Sequence, residues 1–276
     1  MPTRPGGGVA ADEEQAMREA WELLIAGPED ADRSVLLLPG GANAARSFDL
    51  VMAEPALSGV RLVATTLPGM AGAPLTDDVS VPGLARAAGD VATAHRCDVV
   101  VGFSHGATVA LEMLLSGGFR GPVVLLGISL TTEDEAGFFR HAVRLSQKVG
   151  RWPLGILLWL LPLMVRSAKI PQPHKRELIE DLKQNRAGDA VRVSAAYLDY
   201  IAAERNYATQ LAASSTPVWV VHAEKGDGGL TEAERGTLES ADNVTLVTVP
   251  GAVFLLPDEA PDQTAAVIAA ALSVLA

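Results

Sequence analysis

The sequence predicts an α/β fold, a mostly parallel sheet covered by helices on both faces, with a block of helices inserted before the late strands. Three observations carry this prediction. Short β-branched or Leu-rich runs alternate with helical patterns from residue 34 to about 130, and again from about 214 to the end. Between them, residues 131–213 hold helical patterns and no convincing strand. At residues 99–115, VVVGFSHGATVALEMLL, a buried strand runs through G-x-S-x-G into a buried helix, which puts Ser104 on the turn.

The elements follow from the pattern in order. Residues 1–33 form an N-terminal segment whose first eleven positions, rich in Gly and Pro, read as disordered. Residues 12–26 fit either a short helix or, around Trp21 to Ile25, an edge strand. Residues 34–38, SVLLL, are a buried strand leading into Pro39, Gly40, Gly41, Ala42 and Asn43, where two adjacent glycines let a backbone N–H face a cleft. A helix over 44–56 follows, then a strand over 60–67 that ends in Pro68 and Gly69, and a helix over 81–95. Small residues on both sides of Ser104 let strand and helix approach closely, so that the hydroxyl projects above the sheet. Residues 122–128 form the next strand. After the insertion come strand 218–222, helix 231–240, strand 244–249 and helix 261–275. The core is thus residues 34–130 and 214–276. Residues 131–213 form a helical cap over the carboxyl ends of the strands, where open α/β sheets bind ligands.

Composition narrows the function. With 276 residues, 49% of them apolar, the chain can bury a sizeable core, and a net charge of −11 argues against nucleic acid as a partner. The most apolar run, residues 155–165, is short and interrupted by Pro162, so no membrane span is expected, and MPTRPGGGVAAD lacks the apolar core of a secretory signal. A single cysteine, Cys97, excludes an intrachain disulfide and fits a cytoplasmic setting. It reads as a small buried hydrophobe. No cofactor or metal is expected, and nothing in the sequence selects an oligomeric state.

Seven of the thirteen aromatic residues fall in the cap: Phe138, Phe139, Trp152, Trp159, Tyr197, Tyr200 and Tyr207. Tyr197, Tyr200 and Ile201 lie at i, i+3 and i+4 of one predicted helix. Such a stripe is either the packing of cap on body or the wall of an apolar pocket with phenols as its polar anchors. On the second reading the partner is a bulky hydrophobic small molecule, in a pocket lined by Phe103, Trp152, Trp159, Tyr197, Tyr200 and Val253, with Leu160 a further candidate for its roof. Residues 131–212 carry 12 Lys or Arg against 9 Asp or Glu, a net of +3, which leaves −14 on the remainder. A basic lid attracts either an anionic acyl group or the body beneath it.

Together these features resemble the α/β-hydrolase superfamily over nearly the whole length after residue 34. The carrying residues are LLLPGGAN, TLPGMAG, GFSHG at the elbow, VVHAEKGD and PGAVFLLPDEAP. The resemblance implies a serine nucleophile, an acid after a late strand, a histidine on the last loop and an oxyanion hole of two backbone N–H groups. Matched position by position, Ser104 is the nucleophile and Asp227 the acid. The N–H groups of His105 and Gly41, or of the neighbouring Ala42, form the oxyanion hole. Asp227 also fits an ordinary Asp-Gly turn. Asp134 is a rival acid, although Thr132 and Glu135 beside it match a helix capping box.

The last motif departs from the family. Capped members usually read P-G-A-G-H-F-L-P, and PGAVFLLP aligns to it without a gap. Val253 then stands at the glycine and Phe254 at the catalytic histidine, where a phenyl ring offers no proton site. Loss of the general base costs on the order of 10⁴ to 10⁶ in rate in serine hydrolases. Pro39, Thr66 and Met70 likewise replace polar residues of the family pattern. Among the other imidazoles, His105 adjoins the nucleophile with its side chain expected to turn away, His222 ends a late strand, and His95 lies at the far end of a helix. His141 and His174 belong to the cap, over Ser104 or on the surface. Three functions fit this pattern: an enzyme of non-standard chemistry such as cyclisation, elimination or ring opening; a serine esterase or thioesterase with a base from elsewhere or with its histidine replaced; and a ligand-binding pseudoenzyme.

Overall fold

The computed structural model describes residues 21–203, 205–225 and 229–275. Seven strands, β1 (Leu23–Ala26), β2 (Ser34–Leu38), β3 (Arg61–Thr65), β4 (Val99–Phe103), β5 (Val123–Leu126), β6 (Val218–Ala223) and β7 (Val244–Val249), form one sheet in the order β1-β3-β2-β4-β5-β6-β7. Every pairing is parallel except β1 with β3, which is antiparallel. All residues of β2, β4, β5 and β6 are buried, as strands covered on both faces must be. The open alternative at residues 12–26 resolves to an edge strand over its described part, because Leu23–Ala26 pairs with the free edge of β3.

In place of the one helix expected over residues 44–56 there are a 3₁₀ turn (Ala45–Phe48), the single α-turn α1 (Asp49–Met52) and a second 3₁₀ turn (Pro55–Leu57). Pro55 forces the residue before it out of helical geometry, and Glu54 is extended. The remaining helices are α2 (Val81–Ala94), α3 (His105–Leu115), then α4 (Gly137–Val149), α5 (Trp152–Ser167), α6 (Gln172–Gln184), α7 (Ala187–Ile201) and α8 (Tyr207–Ala212) in the insertion, followed by α9 (Glu232–Glu239), α10 (Leu256–Glu259) and α11 (Pro261–Ser273), and of these α2, α3, α9 and α11 keep close to the expected bounds. Ser80 caps α2 by accepting from Gly83 N, and Thr231 with Glu234 makes a reciprocal capping box on α9.

One core layer lies on each face of the sheet. Val35, Leu37, Phe48, Val99, Val101 and Ile268 build the layer under α1 and α11. The other layer lies under α2 and α3, and it continues without a break into the insertion through Val143, Leu154, Val193, Tyr197 and Ile201. The strand order reverses between β2 and β4. The loops that leave the carboxyl ends of these two strands, residues 39–43 and the Ser104 turn, therefore flank the switch point where such sheets bind ligands. Among the described residues no helix is long and apolar enough to cross a membrane.

Candidate active site

Ser104 sits between β4 and α3 with φ 50° and ψ −114°, a left-handed conformation that side-chain-bearing residues avoid. Its N–H donates to the Leu126 carbonyl at 2.8 Å, which ties the turn to β5. The two flanking glycines are required by packing. A Cβ on Gly102 would lie 2.2 Å from the Gly106 carbonyl oxygen, and one on Gly106 would lie 2.2 Å from that of Leu38. The crossing of strand and helix is close enough that no larger residue fits, and the strain at Ser104 is held in place by this contact.

Beside the turn lies the loop after β2. A Cβ built on Gly41 would stand 3.9 Å from His105 Cβ, so Gly41 faces the first turn of α3, whose leading N–H groups have no partner within the helix. Ala42, also at positive φ, has its N–H against the Met70 sulfur at 3.2 Å and its carbonyl on Asn185 Nδ2 at 2.8 Å. Thr66 Oγ1 accepts from Ala45 N at 3.0 Å. Thr66 and Met70 thus tether this loop. Asn185 also accepts from Ala71 N at 2.9 Å, so one cap amide holds both loops beside the site. Nothing in the local sequence marks Asn185 for this role.

Phe103, expected as a pocket residue, is fully buried in the layer under α11 and touches Gly40. Strand alternation points it away from the cap. The Phe254 ring lies beside it, with centroids 5.6 Å apart and a 59° tilt. The Glu259 carboxylate accepts from both Val253 N (2.8 Å) and Phe254 N (3.0 Å), which fixes the last loop, while the Val253 side chain is exposed. Asp227 lies outside the described residues.

The cap residues are placed differently from the expected pocket wall. Trp152 and Trp159 are 57% and 75% exposed, and Leu160 is exposed as well. Because α5 is apolar all round and only one face can pack, the rest stays outside. Tyr197 and Tyr200 are buried, but their hydroxyls are committed: Tyr197 donates to Glu135, which also accepts from Ser129 Oγ, and Tyr200 donates to Glu112 Oε2 at 2.6 Å. Tyr207 stacks on Tyr200, with Arg205 over both rings. Burial, aided by these carboxylates, holds the phenols of Tyr197 and Tyr200 far above their usual titration range. These tyrosines seal the seam between cap and body.

A cavity of about 480 Å³ lies among the inserted helices, between α5 and α6, with Leu158, Trp159, Pro162, Leu163 and Leu182 as apolar wall and Arg166, Lys183 and Asn185 as polar groups. Its volume is in the range of small-molecule sites. A second, of about 290 Å³, opens between β1, the 44–49 turn and α6. Ser104 lines neither.

His105 is buried against Tyr197, with ring centroids 5.1 Å apart, and its Nε2 has no partner. Burial pushes the imidazole down to about 4, so it is neutral. His141 is exposed and donates from Nδ1 to the Gly137 carbonyl of its own helix. His222 is buried at the end of β6, and His95 closes α2. His174 Nε2 donates to Asp258 Oδ1 at 2.8 Å, and both groups are buried. Burial pulls this imidazole down, but the hydrogen bond to Asp258 and the charges of Asp258, Asp49 and Glu177 outweigh it and raise it. Asp49, His174 and Glu177 form the one group of three with metal-ligand atoms within 4.8 Å among the described residues, and with His174 Nε2 already on Asp258 it reads as an ion-pair network. The capping box at Thr132 and Glu135 does not form. Glu135 is spent on Ser129 and Tyr197, α4 begins only at Gly137, and the Asp134 carboxylate instead accepts from Leu130 N and Thr131 N, both at 2.9 Å.

Comparison with curated proteins returns no match. Among solved structures, the chain is similar to an esterase from Rhodococcus sp. ECU1013 (19% identity over 93% of this chain and 95% of that one, TM-score 0.70). It is also similar to a thermophilic esterase from Thermogutta terrifontis (19%, 92% and 93%, 0.67) and to the thioesterase domain from the curacin biosynthetic pathway (16%, 90% and 94%, 0.64). At these identities the likeness establishes the fold. The model of the alpha/beta hydrolase family matches residues 35–267, from β2 through the Ser104 turn and the inserted helices into α11, and the chain belongs to that family.

Proposed function

We propose that the chain is an α/β-hydrolase-fold enzyme that acts at Ser104 on a bulky hydrophobic small molecule, an ester, thioester or secondary-metabolite intermediate, by chemistry that does not pass through an imidazole on the last loop. One observation carries this reading: the Phe254 ring packs beside Phe103, the residue that precedes the elbow serine. Phenylalanine at the histidine position leaves the Ser104 hydroxyl neutral and weakly nucleophilic. The N–H groups of His105 and Gly41 would polarise a substrate carbonyl, with Asp227 as the site's acid. Holding a flexible substrate in a reactive pose contributes several kcal/mol without a nucleophile, which suits cyclisation, elimination or ring opening. The single cysteine, which leaves no intrachain disulfide, supports a reducing cytoplasmic setting.

The second reading is ester or thioester hydrolysis, and the strained elbow favours it, since that geometry serves to present a nucleophile. Hydrolysis of a chromogenic ester separates the two. On the proposed reading, turnover by the unmodified chain is near background and Ser104→Ala changes it little. Phe254→His with Val253→Gly then raises it about 10- to 1000-fold, short of a native enzyme because a base set about 1 Å off loses about 100-fold. Strong hydrolysis that vanishes in Ser104→Ala would establish that a base is already present.

A further inference from the structure

Among the described residues, exposed large apolar side chains are concentrated on the first two inserted helices. Of the fourteen large apolar side chains exposed among the described residues, eight lie between Phe138 and Leu163. Trp152, Ile156, Trp159, Leu160 and Leu163 follow helical spacing and form one outward stripe along α5, and α4, packed on α5, adds Phe138, Leu145 and Val149. Charge is segregated in the same stretch. Residues 136–176 contain eight Lys or Arg and no Asp or Glu, and Arg144, Lys148, Arg151, Arg166 and Lys169 are exposed around the stripe. The sequence outside residues 131–212 carries a net −14.

We propose that the α4–α5 face docks on an anionic lipid bilayer. Tryptophan, leucine and isoleucine on an exposed helical stripe bury at the boundary of headgroups and acyl chains, while a rim of Lys and Arg meets lipid phosphates. At 16 residues α5 is roughly 24 Å long, shorter than the ~30 Å hydrocarbon core, so it lies in the interface and does not span it. A second copy of the chain is a poorer occupant, because pairing these faces brings two basic rims together. The cavity between α5 and α6 opens beside the stripe and shares Trp159 and Leu163 with it. Arg166 and Lys183 stand at its apolar wall, which suits one lipid or substrate chain with an anionic end. The docking rests on the cap surface alone and is independent of the chemistry at Ser104.

The test is sedimentation of the full chain with vesicles of phosphatidylcholine alone and of phosphatidylcholine with about one third phosphatidylglycerol, with tryptophan emission as a second readout. Binding is expected to be at least about tenfold stronger to the anionic vesicles, to weaken with added salt, and to shift the emission to the blue. R144E/K148E/R151E should remove that preference. W152S/W159S should weaken binding to the anionic vesicles about tenfold or more and abolish the emission shift, and circular dichroism checks that both variants, altered only at exposed positions, remain folded. Ser104→Ala should bind as the unmodified chain does, so failure here is distinguishable from failure of the reading at Ser104. Absence of vesicle binding, or binding unchanged in both variants, overturns the proposal. So does concentration-dependent dimerisation that W152S/W159S abolishes while vesicles are not bound.

Discussion

Ser104 is held at φ 50° by a strand and a helix that touch through Gly102 and Gly106. A side chain in this region stores about 1–3 kcal/mol, and removing the hydroxyl does not release it. Ser104→Gly is therefore expected to be about 1 kcal/mol more stable to urea than Ser104→Ala, because both lose the hydroxyl and only glycine adopts positive φ freely. Equal stabilities would mean that the turn is relaxed. Two further glycines should respond in opposite ways. Gly106→Ala drives a methyl onto the Leu38 carbonyl and should cost about 3 kcal/mol or prevent folding. Gly41→Ala meets only His105 Cβ at ordinary contact distance, and its stability should stay within about 0.5 kcal/mol of the unmodified chain. The G-x-S-x-G spacing made this site legible, since each glycine records a backbone contact. The place of the Phe254 ring against Phe103 was not legible in the sequence.

Helix α6 fastens the inserted helices to the sheet's loops and to α10 through polar contacts that no periodicity announces. His174 bonds Asp258 on α10, Arg46 lies 3.0 Å from Asp181, and Asn185 just beyond the helix holds Ala42 and Ala71. The His174 imidazole is raised in the folded protein, so its contribution to stability is complete below about pH 6.5 and falls away as the pH rises through the folded value. Asp258, Asp49 and Glu177 are the acidic groups that face it. The difference in thermal midpoint between the unmodified chain and His174→Gln should be largest near pH 6 and should shrink towards pH 9. A constant difference across that range would show that the imidazole serves only as a neutral hydrogen-bond donor. Helix α5 illustrates the opposite limit of sequence reading. Its pattern predicted a helix correctly, but an apolar residue at nearly every position does not say which face will be covered, and Trp152 and Trp159 were expected inside.

At the scale of the whole molecule, the sheet and the inserted helices share one core cluster that runs from Leu36 and Val63 to Val193 and Ile201. Urea unfolding should therefore be a single transition, with tryptophan fluorescence and far-ultraviolet circular dichroism coinciding, although Trp152 and Trp159 belong to the cap and Trp21 and Trp219 to the body. Tyr200→Phe should destabilise this unit by about 1–3 kcal/mol, because it strips a hydrogen bond from the buried Glu112 carboxylate. The sequence by itself determined the alternation of strands and helices, the insertion, and the elbow with its serine. These are written in hydrophobic period and in the spacing of small residues, which are local properties of the chain. Only the tertiary structure decided that the 12–26 segment supplies an edge strand, that the cap tyrosines spend their hydroxyls on Glu112 and Glu135, that Asn185 reaches Ala42 across 143 positions, and that the tryptophans face outward. Each of these depends on which surfaces meet, and a contact between distant residues leaves no trace in the pattern around either one.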